Sequence, residues 1–578
     1  MHRRWLVKKT NPAFIHYLSK TASISSVLAQ VLINRGIKEA SSVADFLNPS
    51  LSGLSDPFAL TGMQPAIARI KQARRDGETV LVHGDYDTDG LTATAIMVHL
   101  LRSAGITVRY FIPDRAGHGY GFNPPAVEFA QKCRAGIILT VDCGISSFEA
   151  AAAAAAAGID VIITDHHEPS RSNISAAGAA EGEPQFLVPA ACAVINPKLC
   201  PDSGLTNLSG AGIAFKFAQA LAADGSLGFS PDDLLPLADL AALGTVADVV
   251  PLTGENRIII REGLKYLNSS ERPGLRALRT VSRLDSREIK ANLLSFTMVP
   301  RINAAGRMGD SSDVVRLLLS KDDAEAAALS EWLDGLNTER QKVESGVYQD
   351  ALSRIDRGTL DSVIVLVGEG WHPGVLGIVA SKLADEFCLP AFVFNLEDGL
   401  AKGSARSIPS FDICAGLDRC RDLLAGFGGH KQAAGVRLHA EKIPLFEEAM
   451  RRVIRDSVSE DDLVPSLEID SNVLLSDITP SLIREFGQLE PFGYGNPEPL
   501  LGAKSLEVMY PKIVGNNHLK FRVRGDSAAI DAIAFDMGAE FESLNGPERI
   551  DAVFTPSINE WNGGRYLQLV VKALRPSD

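Results

Sequence analysis

The sequence predicts an α/β protein in several parts: a domain built on a parallel sheet, a second α/β domain, and a small C-terminal β-barrel. Three observations predict it. From about residue 56, short apolar runs alternate with helical segments, the rhythm of βαβ units. The rhythm resumes at Ser362-Val363-Ile364-Val365-Leu366-Val367. After Asp461-Asp462 it gives way to short alternating strands separated by Gly, Asn and Pro turns, which reads as an antiparallel barrel or sandwich.

Residues 1–55 form a helical N-terminal segment, with helices at 26–32 and 43–47 and no chemistry-bearing side chains. The first α/β domain spans 56–320. Its strands fall at 79–82, 106–112, 136–141 and 160–164, and a helix runs from 91 to 104. The alanine tract at 150–157 lies between two strands, and alanine's helix propensity makes it a crossover helix. Residues 170–186 are small and polar, an inserted surface loop. Residues 205–247 are mostly helical. The connecting segment 321–360 holds a long polar helical stretch suited to bridging two domains. The second domain, 361–455, has a helix at 375–387 and a strand at 391–395. The barrel occupies 462–578.

A chain of 578 residues accommodates three or four domains, and 46% hydrophobic with 22% charged residues is ordinary for a soluble protein. The basic start is followed by Thr10-Asn11-Pro12 where a signal peptide needs its apolar core, and no apolar run is long enough to cross a bilayer. No membrane association is therefore expected. Seven scattered cysteines fit reduced thiols and a cytoplasmic location. The net charge of −14 argues against nonspecific nucleic-acid binding over the whole surface. Residues 401–440 run the other way, with six Lys or Arg against three Asp.

The chemistry concentrates in three clusters, each directly after a strand: His83-Gly84-Asp85-Tyr86-Asp87-Thr88-Asp89-Gly90, Val141-Asp142-Cys143-Gly144, and Thr164-Asp165-His166-His167-Glu168. Carboxylates are seldom buried unless paired or holding a metal, and open α/β sheets place their sites at the carboxyl ends of strands. His83, Asp85, Asp87 and Asp89 are candidate ligands, brought together by a turn between the strand and the helix at Leu91. An EF-hand also opens with Asp-x-Asp-x-Asp-Gly, but it requires Glu at position twelve, where this chain has Ile96. Asp142 alone reads equally as a polar cap on a strand end. His166 and His167 are adjacent in a loop and can face one point, and Asp248 after an apolar helix completes the set. Carboxylates suit Mg²⁺, and added imidazole shifts the choice toward Mn²⁺. So many acids imply two ions, and two-metal sites hydrolyse phosphate esters. No Walker-type phosphate loop is present.

These clusters, in this order, resemble those of the DHH phosphoesterase superfamily, and in particular its exonucleases acting on single-stranded DNA. Further motifs agree: Ile112-Pro113-Asp114-Arg115, Val299-Pro300-Arg301-Ile302-Asn303-Ala304-Ala305-Gly306-Arg307-Met308-Gly309, Gly370-Trp371-His372-Pro373-Gly374-Val375-Leu376-Gly377, Gly426-Phe427-Gly428-Gly429-His430, and Pro491-Phe492-Gly493-Tyr494-Gly495-Asn496-Pro497. The resemblance covers nearly the whole chain. It implies a DHH catalytic domain, a DHH-associated substrate-binding domain with a catalytic cleft between the two, and an OB-fold. Metal ligands would fall on Asp85, Asp87, Asp142, His166 and Asp248, with His83, Asp89 and His167 close by. Asp87, Asp142, His166 and His167 would carry catalysis, His167 as a ligand or as an orienting group.

The same resemblance implies 5′→3′ exonuclease activity that releases 5′-mononucleotides, in DNA repair and recombination. Arg301 and Arg307 flank a Gly- and Ala-rich turn and are assigned to the 5′-terminal phosphates, since Arg offers a bidentate fork. Arg115 is a further candidate. In the second domain, turns at Lys402-Gly403-Ser404-Ala405-Arg406-Ser407 and Gly428-Gly429-His430 offer phosphate contacts through Ser404, Arg406, Gly429 and His430. His372 and His430 read either as substrate contacts or as structural histidines. In the barrel, Phe521, Phe535, Trp561 and Tyr566 are candidate stacking residues beside Lys520, Arg522 and Arg524. Single-stranded DNA is the implied partner, with a single-strand binding protein and a helicase as family partners, and the chain is expected to act as a monomer. Two rivals remain: the same chemistry on small phosphorylated substrates, and an inactive strand-binding scaffold.

Overall fold

The computed structural model describes residues 4–114, 121–171, 186–358, 360–544, 549–561 and 563–577. They divide into two compact units. One comprises 6–302, 311–330 and 468–578; the other comprises 4–5, 303–310 and 331–467.

The first unit is organised by a five-stranded sheet of β1 (Thr79–Gly84), β2 (Thr107–Phe111), β3 (Ala135–Val141), β4 (Asp160–Thr164) and β5 (Ala193–Ile195). The order is β2-β1-β3-β4-β5, and every pairing is parallel. Helices α1 (Thr88–Ser103) and α2 (Phe148–Ala156) supply crossovers. Helices α3 (Gly210–Asp224) and α4 (Ala238–Ala247) pack on α1, and α5 (Gly254–Asn268) packs on α4. With both faces covered, the strands read as unbroken apolar runs: Val80, Leu81 and Val82 are fully buried, as are Ile137, Ile138 and Leu139. The strand order reverses between β1 and β3. That switch point, at the carboxyl ends, is where such sheets open a crevice.

The same unit contains a closed five-stranded barrel of β12 (Leu501–Val514), β13 (His518–Gly525), β14 (Ala528–Ala534), β15 (Ile550–Trp561) and β16 (Gly564–Pro576). Its circuit is β12-β13-β14-β16-β15 and back to β12, with β11 (Ser471–Asn472) added on β12. One pairing, β14 with β16, is parallel, which corrects the all-antiparallel expectation. A barrel closes without free edges, so each strand needs two neighbours and one parallel contact completes the circuit. The N-terminal helices Pro12–Ala22, Ser26–Asn34 and Ala40–Leu47 are not a detached preamble. Leu18, Leu28, Val31, Leu32 and Leu47 share one apolar core with barrel residues Leu501, Leu519, Phe521 and Phe554. Phe521, expected as a stacking residue, therefore belongs to the core, while Phe535 and Tyr566 are exposed. The side chain of Trp561 lies outside the described set.

The second unit holds a sheet of β6 (Ile364–Glu369), β7 (Ala391–Glu397), β8 (Leu400–Arg406), β9 (Gly426–His430) and β10 (Ala433–His439), ordered β9-β10-β8-β7-β6. Only β6 and β7 pair in parallel. Helix α8 (Pro373–Phe387) covers β7 and β8 on one face, and α9 (Ile443–Ser457) sends Phe446, Met450 and Ile454 into the core on the other. Two expectations are corrected here. Residues 402–406 and 428–430 are strands rather than turns, because each is held by ladder hydrogen bonds to a neighbour. Arg301 and Arg307 lie on a continuous helix, α6 (Met298–Met308), rather than beside a turn; Ala304 and Ala305 favour the helix and outweigh Gly306. The polar connecting stretch forms α7 (Asp323–Ser353), whose residues divide between the units after 330. Most of the 170–186 insert lies outside the described residues, as does Arg115. No described helix is long and apolar enough to cross a membrane.

Candidate metal centre

Strand register brings the acidic clusters to one level. His83 stands opposite Thr140, Gly84 opposite Val141, and Val141 opposite Thr164. The next residue on each strand is an aspartate: Asp85, Asp142 and Asp165. The Asp142 amide donates to the Thr164 carbonyl and the Asp165 amide to the Ile195 carbonyl, both at 3.0 Å, so the ladder continues one residue further. Asp142 has φ 62°, a left-handed backbone that side-chain-bearing residues seldom adopt and that concentrates at functional sites. Asp87 caps α1, its Oδ1 accepting from the amides of Asp89 at 3.0 Å and Gly90 at 3.1 Å.

Three groups of ligand atoms converge, each within 4.8 Å of one another: Asp85, Asp87 and Asp142; Asp142, His166 and His167; and Asp89, His166 and Asp248. Asp142 and His166 each belong to two groups, so the groups overlap as a two-ion site requires. His166 Nε2 lies 3.1 Å from Asp142 Oδ1 and 3.6 Å from Asp248 Oδ2. Neither contact has hydrogen-bond alignment. Buried Oδ1 of Asp85, Oδ1 of Asp142 and Oδ2 of Asp248 are left without a hydrogen-bond partner. Buried polar atoms are normally satisfied, and hard oxygen donors aimed at one place fit a divalent cation.

Burial pushes the carboxyls of Asp85, Asp142 and Asp248 well above the usual range, and the neighbouring carboxylates push them further. Asp89 is raised to about 7 by burial and by Asp87, against the opposing amides of Ala211 and Gly210. Four acids that resist ionising together form a site that a cation completes.

The candidates have different surroundings. Asp89 binds a helix terminus: its Oδ2 accepts from the Gly210 amide at 2.6 Å and its Oδ1 from the Ala211 amide at 2.9 Å, at the start of α3. That approach requires glycine, since a Cβ on Gly210 would stand 2.6 Å from the Asp142 Cβ. His83 is in none of the three groups. It is fully buried, stacked on Phe111 and tilted against Phe122, with Nε2 3.3 Å from the Gly121 carbonyl and Nδ1 unpartnered. Burial lowers its pKa to about 4, so it is neutral.

Asp165, quoted within its motif but not singled out as a site residue, is the group that orients the histidines. Its Oδ1 accepts from His167 Nδ1 and from the His166 amide, both at 2.7 Å, and from the His167 amide at 3.0 Å; Oδ2 accepts from the Ile145 amide at 2.8 Å. Burial alone would raise this carboxyl, but the bonds from His167 hold it below the usual range. With Nδ1 donating, His167 presents the lone pair of Nε2. Fully buried Asn196, just past β5, donates from Nδ2 to the His167 carbonyl at 2.9 Å. The strand-end rule that located the other acids also applies to Asn196. Nothing local in Ser209-Gly210-Ala211 announced its role.

The remaining candidates are placed as follows. In the first unit, Arg301 donates to the carbonyls of Thr297 at 2.8 Å and Val281 at 3.3 Å. In the second, Arg307 donates to the Gly374 carbonyl at 2.8 Å, and His372 caps α8, its Nδ1 accepting from the Gly374 amide at 3.1 Å. A Cβ on Gly377 would stand 2.9 Å from Arg406 Nη2 and 3.5 Å from Ser404 Oγ. Arg307, His372, Ser404 and Arg406 therefore gather around the first turns of α8. His430 is exposed at the end of β9, and Gly429 has φ 155° with the Ala433 carbonyl 2.3 Å from a would-be Cβ.

A parallel sheet whose strand ends collect carboxylates and adjacent histidines, followed by a mixed-sheet domain and a five-stranded barrel, is the architecture of a DHH phosphoesterase with an OB-fold. Family models match accordingly: the DHH family N-terminal domain over residues 79–245, the DHHA1 domain over 360–456, and the RecJ OB domain over 469–573. The chain is 38% identical over 578 residues to the single-stranded-DNA-specific exonuclease RecJ of Bacillus subtilis, covering 98% of this chain and 70% of that protein. It is 33% identical over 578 residues to RecJ of Escherichia coli, covering 96% of each. The crystal structure of RecJ with Mn²⁺ from Thermus thermophilus superposes with a TM-score of 0.85 at 32% identity, over 100% of this chain and 80% of that one. The corresponding Mg²⁺ structure gives 0.79 at 32% identity, over 100% and 79%. The chain belongs to the RecJ family.

Proposed function

We propose that this chain is a metal-dependent exonuclease that degrades single-stranded DNA from the 5′ end and releases 5′-mononucleotides, serving DNA repair and recombination in the cytoplasm. The observation that carries the chemistry is the set of buried, unpartnered carboxylate oxygens at the switch point of the parallel sheet. The names of the relatives supply the substrate. Two divalent ions, Mn²⁺ or Mg²⁺, when bound supply an activated water and neutralise charge developing on the phosphate and its leaving oxygen. Asp85, Asp87 and Asp142 would hold one of them, and His166 and Asp248, with Asp142 between, the other. Asp89 seats the α3 N-terminus beside Asp142, and Asp165 keeps the His167 ring in one tautomer. Arg301 and Arg307 are assigned to the terminal phosphates, and His372, Ser404, Arg406, Gly429 and His430 to phosphate contacts with the single strand. The chain acts as a monomer, with a single-strand binding protein and a helicase as working partners.

The test is digestion of a single-stranded oligonucleotide labelled separately at each end, with Mn²⁺ and with chelator. Metal-dependent release of a labelled mononucleotide from the 5′ end, with the 3′ label retained in shortening products, is the expected result. Asp142→Ala should abolish it without unfolding the protein. Retained activity in that variant removes the two-ion assignment, and binding without cleavage points to the scaffold.

A further inference from the structure

Over β8, β10 and β9 the second unit's sheet has one apolar face and one polar face, the polar one lying beside α8, which packs on β7 and β8. Ala401, Ala405, Ala434, Val436 and Leu438 are buried in a core with Phe392 and Phe394. Strand period then turns Lys402, Ser404 and Arg406 of β8 to the opposite face. Register sets their neighbours. Lys402 stands opposite Arg437, which stands opposite Gly426; Ser404 opposite Gly435, then Gly428; Arg406 opposite Ala433, then His430. Across β8, β10 and β9 these three rows contain no carboxylate. Lys402 and Arg437 are both exposed, and among the described residues neither is in an ion pair. Like charges directly opposed in a ladder are destabilising, so this pair gives the fold nothing. Glycine at 426, 428 and 435 keeps the surface low, and Arg437 Nη2 reaches to 3.0 Å from where a Gly426 Cβ would be. Gly377 of α8, against Arg406 and Ser404, forms the wall on one side.

We propose that this face is a phosphate track on which Lys402 and Arg437 are backbone contacts for the single strand, beyond those already assigned around α8. Two residues of strand advance roughly 6.8 Å, so Lys402, Ser404 and Arg406 present donors at intervals suited to successive phosphates of an extended strand. A basic, glycine-floored, acid-free face complements a polyanion and reads no base, as sequence-independent binding requires. The proposal rests on the exonuclease reading and extends its substrate surface.

The test measures binding of the full-length chain, in chelator, to 3′-fluorescein oligonucleotides bearing a 5′ phosphate, across a range of KCl. Each single-strand phosphate contact contributes about 0.7 to the slope of log affinity against log salt. Lys402→Ala with Arg437→Ala should therefore flatten the slope by about 1.4 and weaken binding about 25-fold at 0.1 M salt. The loss should be equal for oligo-dT, oligo-dA and mixed sequence, and Lys402→Arg with Arg437→Lys should restore the slope. A loss confined to one sequence overturns the track. So does an unchanged slope in a chain that binds, which leaves the face to an acidic protein. Failure of the unsubstituted chain to bind DNA at all removes the exonuclease reading as well.

Discussion

Asp165→Asn tests the carboxylate that orients the histidines. Asp165 is 1% exposed and accepts four hydrogen bonds, three on Oδ1 and one on Oδ2. Asparagine has one oxygen. In its better orientation that oxygen keeps the two histidine amides and His167 Nδ1, and its NH₂ then faces the Ile145 amide, donor against donor. Losing one bond to a charged acceptor costs about 1.5–3 kcal/mol, which urea unfolding without metal should register. The neutral amide also relaxes the hold on the His167 tautomer. Removing such an orienting partner typically weakens metal binding or activity about 10–100-fold. A Mn²⁺ titration of 5′-end release should show half-saturation displaced upward by that factor, with rate recovered at high Mn²⁺. A destabilised variant with unchanged Mn²⁺ dependence would refute the reasoning and reduce Asp165 to a structural acceptor.

Gly210→Ala should be destabilising by about 1–3 kcal/mol through the clash with Asp142, although helix propensity alone favours alanine by about 1 kcal/mol; a neutral melting temperature would contradict the close approach. Arg257→Met removes donors to the Phe46, Leu489 and Gln488 carbonyls and the guanidinium 4.0 Å over the Phe46 ring, so urea unfolding should show a loss of about 3 kcal/mol or more; under 1 kcal/mol would show the staple to be dispensable. pH supplies the last prediction. Asp89, raised to about 7, contributes stability that is present below its unfolded value and lost as pH rises through about 7; Asp85, Asp142 and Asp248 act in the same direction. His83, lowered to about 4, acts oppositely between pH 4 and its unfolded value near 6.5, so the effect is read from pH 6.5 to 8. There the chelated protein should lose about 1 kcal/mol from Asp89 alone, and more from its neighbours, while Mn²⁺ should cancel the loss. A flat profile in chelator would contradict the cluster's electrostatics.

The first sheet was legible because its strands are buried on both faces. The run at 160–164 is strand over those same residues, and the other three differ only at their ends. The second sheet was harder. On β8 the buried face is only Ala401, Gly403 and Ala405, a weak apolar signal, and the other face carries Lys402, Ser404 and Arg406, which looks like a turn. In α6, Pro300 and Gly306 suggested irregular backbone, yet Pro300 sits in the first turn, where its missing amide costs nothing. The acids were legible as a set from their position after strands. Their separate roles were not. What distinguishes Asp89 from Asp87 is which amides arrive from α3, more than a hundred residues away.

That allocation accounts for the number of acids. A cluster of ionised carboxylates in one buried place repels itself, and further carboxylates would only raise the cost of charging it. Two of the acids are satisfied elsewhere: Asp165 by His167 and three amides, which hold it low, and Asp89 by the amides of Gly210 and Ala211, which offset burial and Asp87 only in part. Both lie beside the cluster without offering an orphaned oxygen. Asp85, Asp142 and Asp248 each do offer one, and all three carboxyls are pushed well above the usual range. Each unsatisfied oxygen of the cluster therefore sits on a carboxyl that resists ionisation. Protons can relieve that only by neutralising the acids, whereas divalent cations relieve it while leaving every oxygen charged, which is the state phosphodiester hydrolysis requires.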